Sequence, residues 1–260
     1  MEITKNNGIL TIKLIDKKIA KEIIIKNHYS HKWNTPFGLY NFGVFRDGKL
    51  LGVASYGHMM NTKAKIFTSN NPNGWMIELN RMWIDDTLGM NSETTLIGAS
   101  LKMLRKIDKN IVAVQSFADG RLGCGTIYKA SNFKYYGYLE STFWEDINTG
   151  EITHNVPITD ISNPNSFIKL NTKLLKGELK PFKVKTYRYI YPFDKSFKFK
   201  TPEKHYPEYN KGMEYFTPNI DAEHIKARIK KANEILVERE RIKEEKKIMR
   251  ELLKKVTTAA

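Results

Sequence analysis

A mixed α/β fold is what this 260-residue sequence predicts, on three observations. β-prone runs come first as a meander, strand–helix alternation follows, and the apolar content suffices for a core. Hydrophobic residues make up 41% of the chain and aromatic residues 12%, which excludes a globally disordered protein. The single cysteine, Cys124, rules out an internal disulfide framework and argues against a cysteine-based zinc cluster. No apolar run reaches the length of a bilayer span. The segment Met1-Glu2-Ile3-Thr4-Lys5 lacks the apolar stretch of a signal peptide, so the chain reads as cytoplasmic.

Element by element, residues 9–15 (ILTIKLI) read as a strand and 16–27 (DKKIAKEIIIKN) as a helix capped by Asp16. Two β-prone runs, 39–46 and 49–57, flank Asp47-Gly48, which supplies the two positive-φ positions of a tight hairpin. Residues 75–84 (WMIELNRMWI) alternate as a strand does, and 85–92 form a polar loop. Apolar residues at helical spacing between Leu96 and Ile107 predict a helix over 93–107. Residues 111–117 (IVAVQSF) have the continuous apolar character of a strand buried in a central sheet. A helix over 121–132, despite Gly123 and Gly125, and a strand over 134–144 come next.

Residues 148–185 read as loop-rich, 186–193 as a last strand, and 194–220 as a surface-draped segment rich in proline, lysine and aromatics. One long charged helix is expected over 221–256, with Asp221 as its N-cap. Ile235, Ile242, Met249 and Val256 recur every seven residues along it, a pattern that offers a dimer surface. Arg239 and Lys246 occupy the alternate heptad positions and leave the oligomeric state open. The expected division is a core over 1–160, a basic, aromatic-rich extension over 161–220 and the helix over 221–260.

Lys and Arg number 43 against 28 Asp and Glu, a formal charge of +15, with most of the excess in the last hundred residues. Clustered cations gain by releasing counterions condensed on a phosphate backbone, so a polyanionic partner fits this balance, as does a merely solubilising lysine surface, and composition alone does not separate the two. Lys183, Lys185 and Arg188 lie in a run where basic residues interleave with Phe182, Tyr187, Tyr189 and Tyr191. Cations for phosphate and rings for bases suit DNA contact.

The strand order is similar to that of the GNAT acyltransferase core, and Tyr128-Lys129-Ala130-Ser131-Asn132-Phe133 resembles its Y-x-x-x-G-F segment, with Asn132 in place of glycine. A closer resemblance, to the phage Mom family, is carried by six short segments in order. They are His28-Tyr29-Ser30, Gly52-Val53-Ala54-Ser55-Tyr56-Gly57, Glu78-Leu79-Asn80-Arg81, Asn91-Ser92-Glu93, Ser116-Phe117-Ala118-Asp119 and Ile127-Tyr128-Lys129-Ala130-Ser131-Asn132. Together they cover roughly residues 25–140. The resemblance implies transfer of a carbamoylmethyl-type group to N6 of adenine in phage DNA, protection from host nucleases, an acetyl-CoA-type donor and an iron dependence.

Adenine N6 is a poor nucleophile because its lone pair is delocalised into the ring. Chemistry there needs a shaped pocket, a proton route and stabilisation of developing charge. The base must also be flipped out or presented single-stranded. The candidate catalytic residues are His28, Tyr29, Arg81, Asp119 and Tyr128, with His28 and Asp119 also as metal ligands. Each has a plainer reading: His28 as a helix C-terminal histidine, Arg81 as half of an ion pair with Glu78 or Asp119, Asp119 as a helix N-cap and Tyr128 as a core ring. His31, three residues after His28, would share a helical face with it. Donor binding is assigned to Asn91, Ser92 and Glu93 at a helix N-terminus that favours an anion, and to Ser116. That loop has a single glycine, Gly89, where GNAT loops have more, and Asp85 and Asp86 beside it would repel a pyrophosphate. Tyr29, Trp33, Tyr56 and Tyr136 are candidate stacking partners for a flipped base, with core packing as the plainer reading of each. An ordinary N-acetyltransferase of protein, RNA or a small amine, and a non-catalytic DNA-binding protein, are the competing functions.

Overall fold

The computed structural model describes residues 1–5, 8–34, 36–59 and 66–258, with side chains as far as 251. Strands β1 (Glu2–Lys5) and β2 (Gly8–Leu14) lead into α1 (Lys17–Asn27). The Asp16 carboxylate accepts from the Lys18 amide at 2.6 Å, satisfying one of the donors that a helix start leaves open. Strands β3 (Tyr40–Arg46) and β4 (Lys49–His58) form the expected hairpin, with Asp47 at φ 51° and Gly48 at φ 76°. After β5 (Phe67–Thr68), β6 (Trp75–Ile84) has the expected bounds, and a 3-10 turn over Asp86–Leu88 leads into α2 (Ser92–Ile107).

Strand β7 (Ile111–Asp119) runs two residues beyond expectation because Ala118 and Asp119 pair with Tyr187 and Thr186. The helix expected over 121–132 is a correction: α3 covers only Thr126–Ala130. Gly123 at φ 132° and Gly125 at φ 89° hold the preceding chain in conformations no α-helix contains. Next come β8 (Lys134–Asp146), β9 (Ile152–His154), α4 (Val156–Thr159), α5 (Pro164–Leu175) and β10 (Leu179–Pro192). The loop-rich reading of 148–185 is thus corrected as well. Helix α5 starts with Asn163 as cap and Pro164 in its first turn and buries Phe167 and Leu174. Two short strands, β11 (Lys198–Phe199) and β12 (Glu214–Tyr215), precede α6 (Ala222–Thr258). The Asp221 carboxylate caps α6 through the His224 amide at 2.9 Å.

The chain divides into two compact units, Met1–Leu139 with Lys185–Gly212, and Glu140–Val184 with Met213–Ala260. The boundaries expected at 160 and 220 do not coincide with these. In the first unit the strand order is β1-β2-β3-β4-β6-β7-β10, antiparallel throughout except for the parallel β6–β7 pair. Ala20 and Ile24 of α1 pack on Val53, whereas α2 packs with Phe42, Ala54 and Tyr56. Neighbouring residues of a strand point to opposite faces, so the two helices cover opposite sides of the sheet.

In the second unit, Trp144, Ile158, Leu174 and Leu179 form a separate small core, onto which Ile225 of α6 packs. Along α6, Ile242 and Met249 are exposed, and the Val256 side chain lies outside the described residues. No helix among the described residues is long and apolar enough to cross a membrane. The first unit carries 26 Lys and Arg against 13 Asp and Glu, and the second 17 against 15. Divided by unit, the basic excess therefore belongs to the first, which takes residues 185–212 out of the basic C-terminal stretch.

Candidate active site

Strands β6 and β7 are paired only from Trp75↔Ile111 to Glu78↔Gln115. Beyond that point β6 continues beside β4, and β7 beside β10. The central ladder therefore forks, and a cleft of about 300 Å³ opens there, lined by Leu79–Met82 of β6, Phe117–Asp119 of β7, the loop through Gly123 and Gly125, and Tyr128 of α3. His28 and Tyr29, at the end of α1, and Tyr209 complete it. Its volume lies at the small end of ligand pockets, roughly 300–1,000 Å³. All five candidate catalytic residues, His28, Tyr29, Arg81, Asp119 and Tyr128, line this one cleft.

At the fork a buried polar network replaces the backbone ladder. Glu78 accepts from the Asn80 amide at 3.1 Å and from the Gln115 amide at 2.8 Å. Burial raises its pKa. The Asn80 Oδ1 and Gln115 Oε1 atoms are buried without a partner. Sequence reasoning had offered Glu78 only as a partner for Arg81 and had passed over Gln115, which reads as one polar residue within an apolar strand.

His28 caps α1 through its own amide, and its ring is 8% exposed. Its Nδ1 receives the Ser30 amide at 3.1 Å and lies 2.9 Å from the Ser30 hydroxyl. An N–H donor aimed at Nδ1 requires that nitrogen to be the acceptor, which places the ring proton on Nε2. Burial, reinforced by the Arg81 and His31 charges, pushes the His28 pKa down to about 4. His28 is thus a neutral Nε2–H donor. That corrects its reading as base or metal ligand, either of which needs a free lone pair. His31 does not share a helical face with it, because α1 ends at Asn27; its Nδ1 lies 2.8 Å from the Ile25 carbonyl.

Arg81 is half-buried, and its expected ion pair does not form among the described residues. It donates to the backbone carbonyls of Lys32 at 3.3 Å and Asn80 at 2.7 Å, and lies 4.6 Å over the Phe37 ring. The guanidinium is thus desolvated, and the Glu78 carboxylate is near enough for its charge to offset part of that cost. Asp119 is engaged instead by Arg121, whose Nε is 3.0 Å from both carboxylate oxygens and whose amide is 3.0 Å from Oδ1. The capping reading therefore holds in modified form: Asp119 closes a turn rather than a helix.

Ser116 is buried, and its hydroxyl lies 3.1 Å from the Leu79 carbonyl and 2.9 Å from the Tyr128 hydroxyl. A serine has one proton and a carbonyl can only accept. Ser116 donates it either to the Leu79 carbonyl or to the Tyr128 hydroxyl, and in the second case the phenol proton stays free. Ser116 holds the Tyr128 hydroxyl and is not part of the cleft lining. Burial raises the Tyr128 pKa and keeps the phenol protonated. Burial and the Asp119 charge push the Tyr29 pKa up to about 12, and its ring lies 4.3 Å from that of His28.

Asn91, Ser92 and Glu93 lie outside the cleft lining. Asn91 adopts the left-handed conformation and makes no side-chain cap bond. Ser92 is corrected: its buried hydroxyl donates back to the Leu88 and Gly89 carbonyls. The Asp85 carboxylate is occupied by the amide and hydroxyl of Thr87.

Of the candidate stacking and DNA-contacting residues, Tyr56 is corrected first. It is 0% exposed and bonded to Ser100 at 2.6 Å inside the core. Trp33 is also committed to packing, edge-on to Phe37 and wedged against Gly38, whose added Cβ would meet it at 2.5 Å. Tyr136 packs edge-on against Phe199. Lys185 lies over Tyr138 at 4.9 Å, and Arg188 over Phe117 at 5.1 Å. Lys183 belongs to the second unit and lies 4.0 Å from Glu140.

Iron does not fit the expected ligands. His28 has its Nδ1 taken and Asp119 has both oxygens on Arg121. No group of three or more metal-ligating side chains occurs among the described residues.

Residues 9–208 match the model of the Mom protein family. Over 155 residues the chain is 37% identical to the methylcarbamoylase mom of Escherichia phage Mu; the match covers 58% of this chain and 63% of that relative. Among solved structures, an N-acetyltransferase from Staphylococcus aureus is 14% identical with a TM-score of 0.40, covering 70% of this chain and 98% of that one. An IAA acetyltransferase from Bacillus cereus is 9% identical with a TM-score of 0.40, covering 71% and 99%.

Proposed function

The chain belongs to the Mom protein family, and on that premise we propose that it is a DNA-modifying transferase. It attaches an acyl-derived, carbamoylmethyl-type group to N6 of adenine and so protects phage DNA in the host cytoplasm from restriction. The observation that carries this reading is the convergence of His28, Arg81, Asp119 and Tyr128 on one cleft at the fork between β6 and β7.

An acyl donor of the acetyl-coenzyme A type would supply the carbon unit: attack on its thioester would join N6 to the carbonyl carbon and release the thiol, and a carbamoylmethyl product would need a second, nitrogen-bearing reactant for its amide. The fork beside the cleft would take the donor, together with the start of α2, where Asn91 makes no side-chain cap bond and a helix N-terminus favours an anion. Within the cleft, Arg81 binds an anionic group of either substrate. The His28 Nε2–H donates to the oxygen on which negative charge develops, a role that needs a neutral, fixed donor. No strong base is free there. His28 Nδ1 is taken by Ser30 and Asp119 by Arg121, so the N6 proton passes to water after the new bond has made the nitrogen acidic. The phenol of Tyr128 returns a proton to the leaving group, and Ser116 holds that hydroxyl in place. The Arg121–Asp119 pair fixes the loop that forms one wall.

Mass spectrometry of nucleosides from DNA of expressing cells tests the assignment. A new adenine adduct is expected, lost in Arg81→Ala and Tyr128→Phe. Unmodified DNA alongside acetyl-CoA turnover on small amines would assign the fold to an ordinary N-acetyltransferase. DNA binding with neither product would make it a binding protein.

A further inference from the structure

The cleft has a polar floor and an apolar mouth. At the mouth stand Tyr209, 72% exposed, Leu122, 55% exposed, and Tyr29, 51% exposed, all lining the same cavity. Tyr209 belongs to no helix or strand. Its segment is nonetheless pinned at both ends. The Lys204 amide donates to the Tyr135 carbonyl at 2.8 Å, the Tyr206 hydroxyl to the Phe133 carbonyl at 2.6 Å, and the Gly212 amide to the Gly120 carbonyl at 2.9 Å. Between those anchors the Tyr209 ring comes over Gly123, where an added Cβ would lie 3.6 Å from its Cε2. An aromatic ring fixed at both flanks, left wet on its face and with no ring or cation stacked on it among the described residues, is a stacking platform without its guest.

We propose that Tyr209 is the stacking residue for the extruded target base, closing over a purine whose polar edge reaches the His28 and Arg81 floor. The inference rests on the adenine-transferase reading and deepens it by naming the substrate form: a base out of its helix, still attached to its phosphates. The surroundings suit that occupant. Lys129 lies 5.2 Å over the neighbouring Tyr206 ring, and the unit that bears the cleft holds most of the positive charge. Cations beside an exposed ring are the arrangement that tracks a backbone while a base stacks.

The test compares a duplex carrying one unpaired adenine with the same duplex carrying an abasic residue there, and a third with 2-aminopurine at that position. The wild-type protein is expected to prefer the unpaired adenine and to quench 2-aminopurine. Tyr209→Phe should keep both, and Tyr209→Ala should lose the preference by about ten-fold or more together with the quench, at unchanged Tm. If Tyr209→Ala retains preference and quench while wild-type cells still yield modified adenine, the stacking role is wrong and the transferase reading stands. If wild-type cells yield no modified adenine, the transferase reading itself fails.

Discussion

At the scale of single residues, the cleft depends on which proton sits where. His28 is held neutral by burial, and the two Ser30 donors hold its Nδ1 as an acceptor. A histidine whose folded pKa lies near 4, below the ordinary 6.5, adds stability that is complete above about pH 6.5 and is lost as pH falls from there toward 4. The size is on the order of 2 kcal/mol once solvent screening is allowed for. Thermal melts should show Tm falling across that window, and less steeply in His28→Gln. Nitrogen chemical shifts should report the Nε2–H tautomer; an Nδ1–H ring at pH 7 would contradict the donor role. Activity should also show no histidine step between pH 5.5 and 7.5 from this residue. Tyr128→Phe keeps the ring that packs 5.2 Å from Tyr189 and 5.5 Å from Phe133. It should cost only about 1 kcal/mol of stability yet abolish modification, a split that separates the hydroxyl from the core.

At the scale of elements, the turn into α3 aims Tyr128. Gly125 has φ 89°, and a Cβ there would meet Tyr189 at 2.6 Å, Ala118 at 2.9 Å and Tyr128 at 3.1 Å. Gly125→Ala should therefore cost about 2–4 kcal/mol through strain and overpacking together. Gly150→Ala, at φ 70° with nothing within 4 Å, should cost about 1 kcal/mol through strain alone. Equal Tm losses for the two would show that the crowding is absent. These same glycines explain why α3 was overestimated from sequence. Side-chain periodicity spoke for a helix through 121–132, while the backbone demands of Gly123 and Gly125 were decisive. Where a local rule was strong, as at Asp47-Gly48, Asp16 and Asp221, the element stands where expected. Length was illegible in β8 and β10, because a strand ends where its partner does and the partner is far away in sequence. The His28, Arg81, Asp119 and Tyr128 set was visible through the resemblance. Gln115, Arg121 and Tyr209 were not, since what they do is defined only by neighbours that folding supplies.

At the scale of the whole molecule, charge separates the two units. The second unit is nearly balanced, and much of α6 neutralises itself: Lys226 pairs with Glu223, Arg241 with Glu238 and Glu245, and Lys247 with Glu244. Such exposed pairs within one helix contribute little stability and leave little field. In the first unit the excess is 13 charges, from 26 basic against 13 acidic residues, and Lys185 and Arg188 there are braced over rings rather than spent on carboxylates. On the proposed function, counterion release would place DNA affinity on the cleft-bearing unit. Each phosphate contact adds about 0.9 to the slope of log K against log salt. Replacing Lys185 or Arg188 with alanine should lower that slope by about one and weaken binding to all sequences alike. Lys226→Ala, on the self-paired helix, should leave it unchanged. Titrations of duplex DNA between 50 and 200 mM salt, values taken from the range where such slopes are resolved, measure this directly. A slope that drops for Lys226→Ala and not for Lys185→Ala would move the DNA track from the catalytic unit to the C-terminal helix.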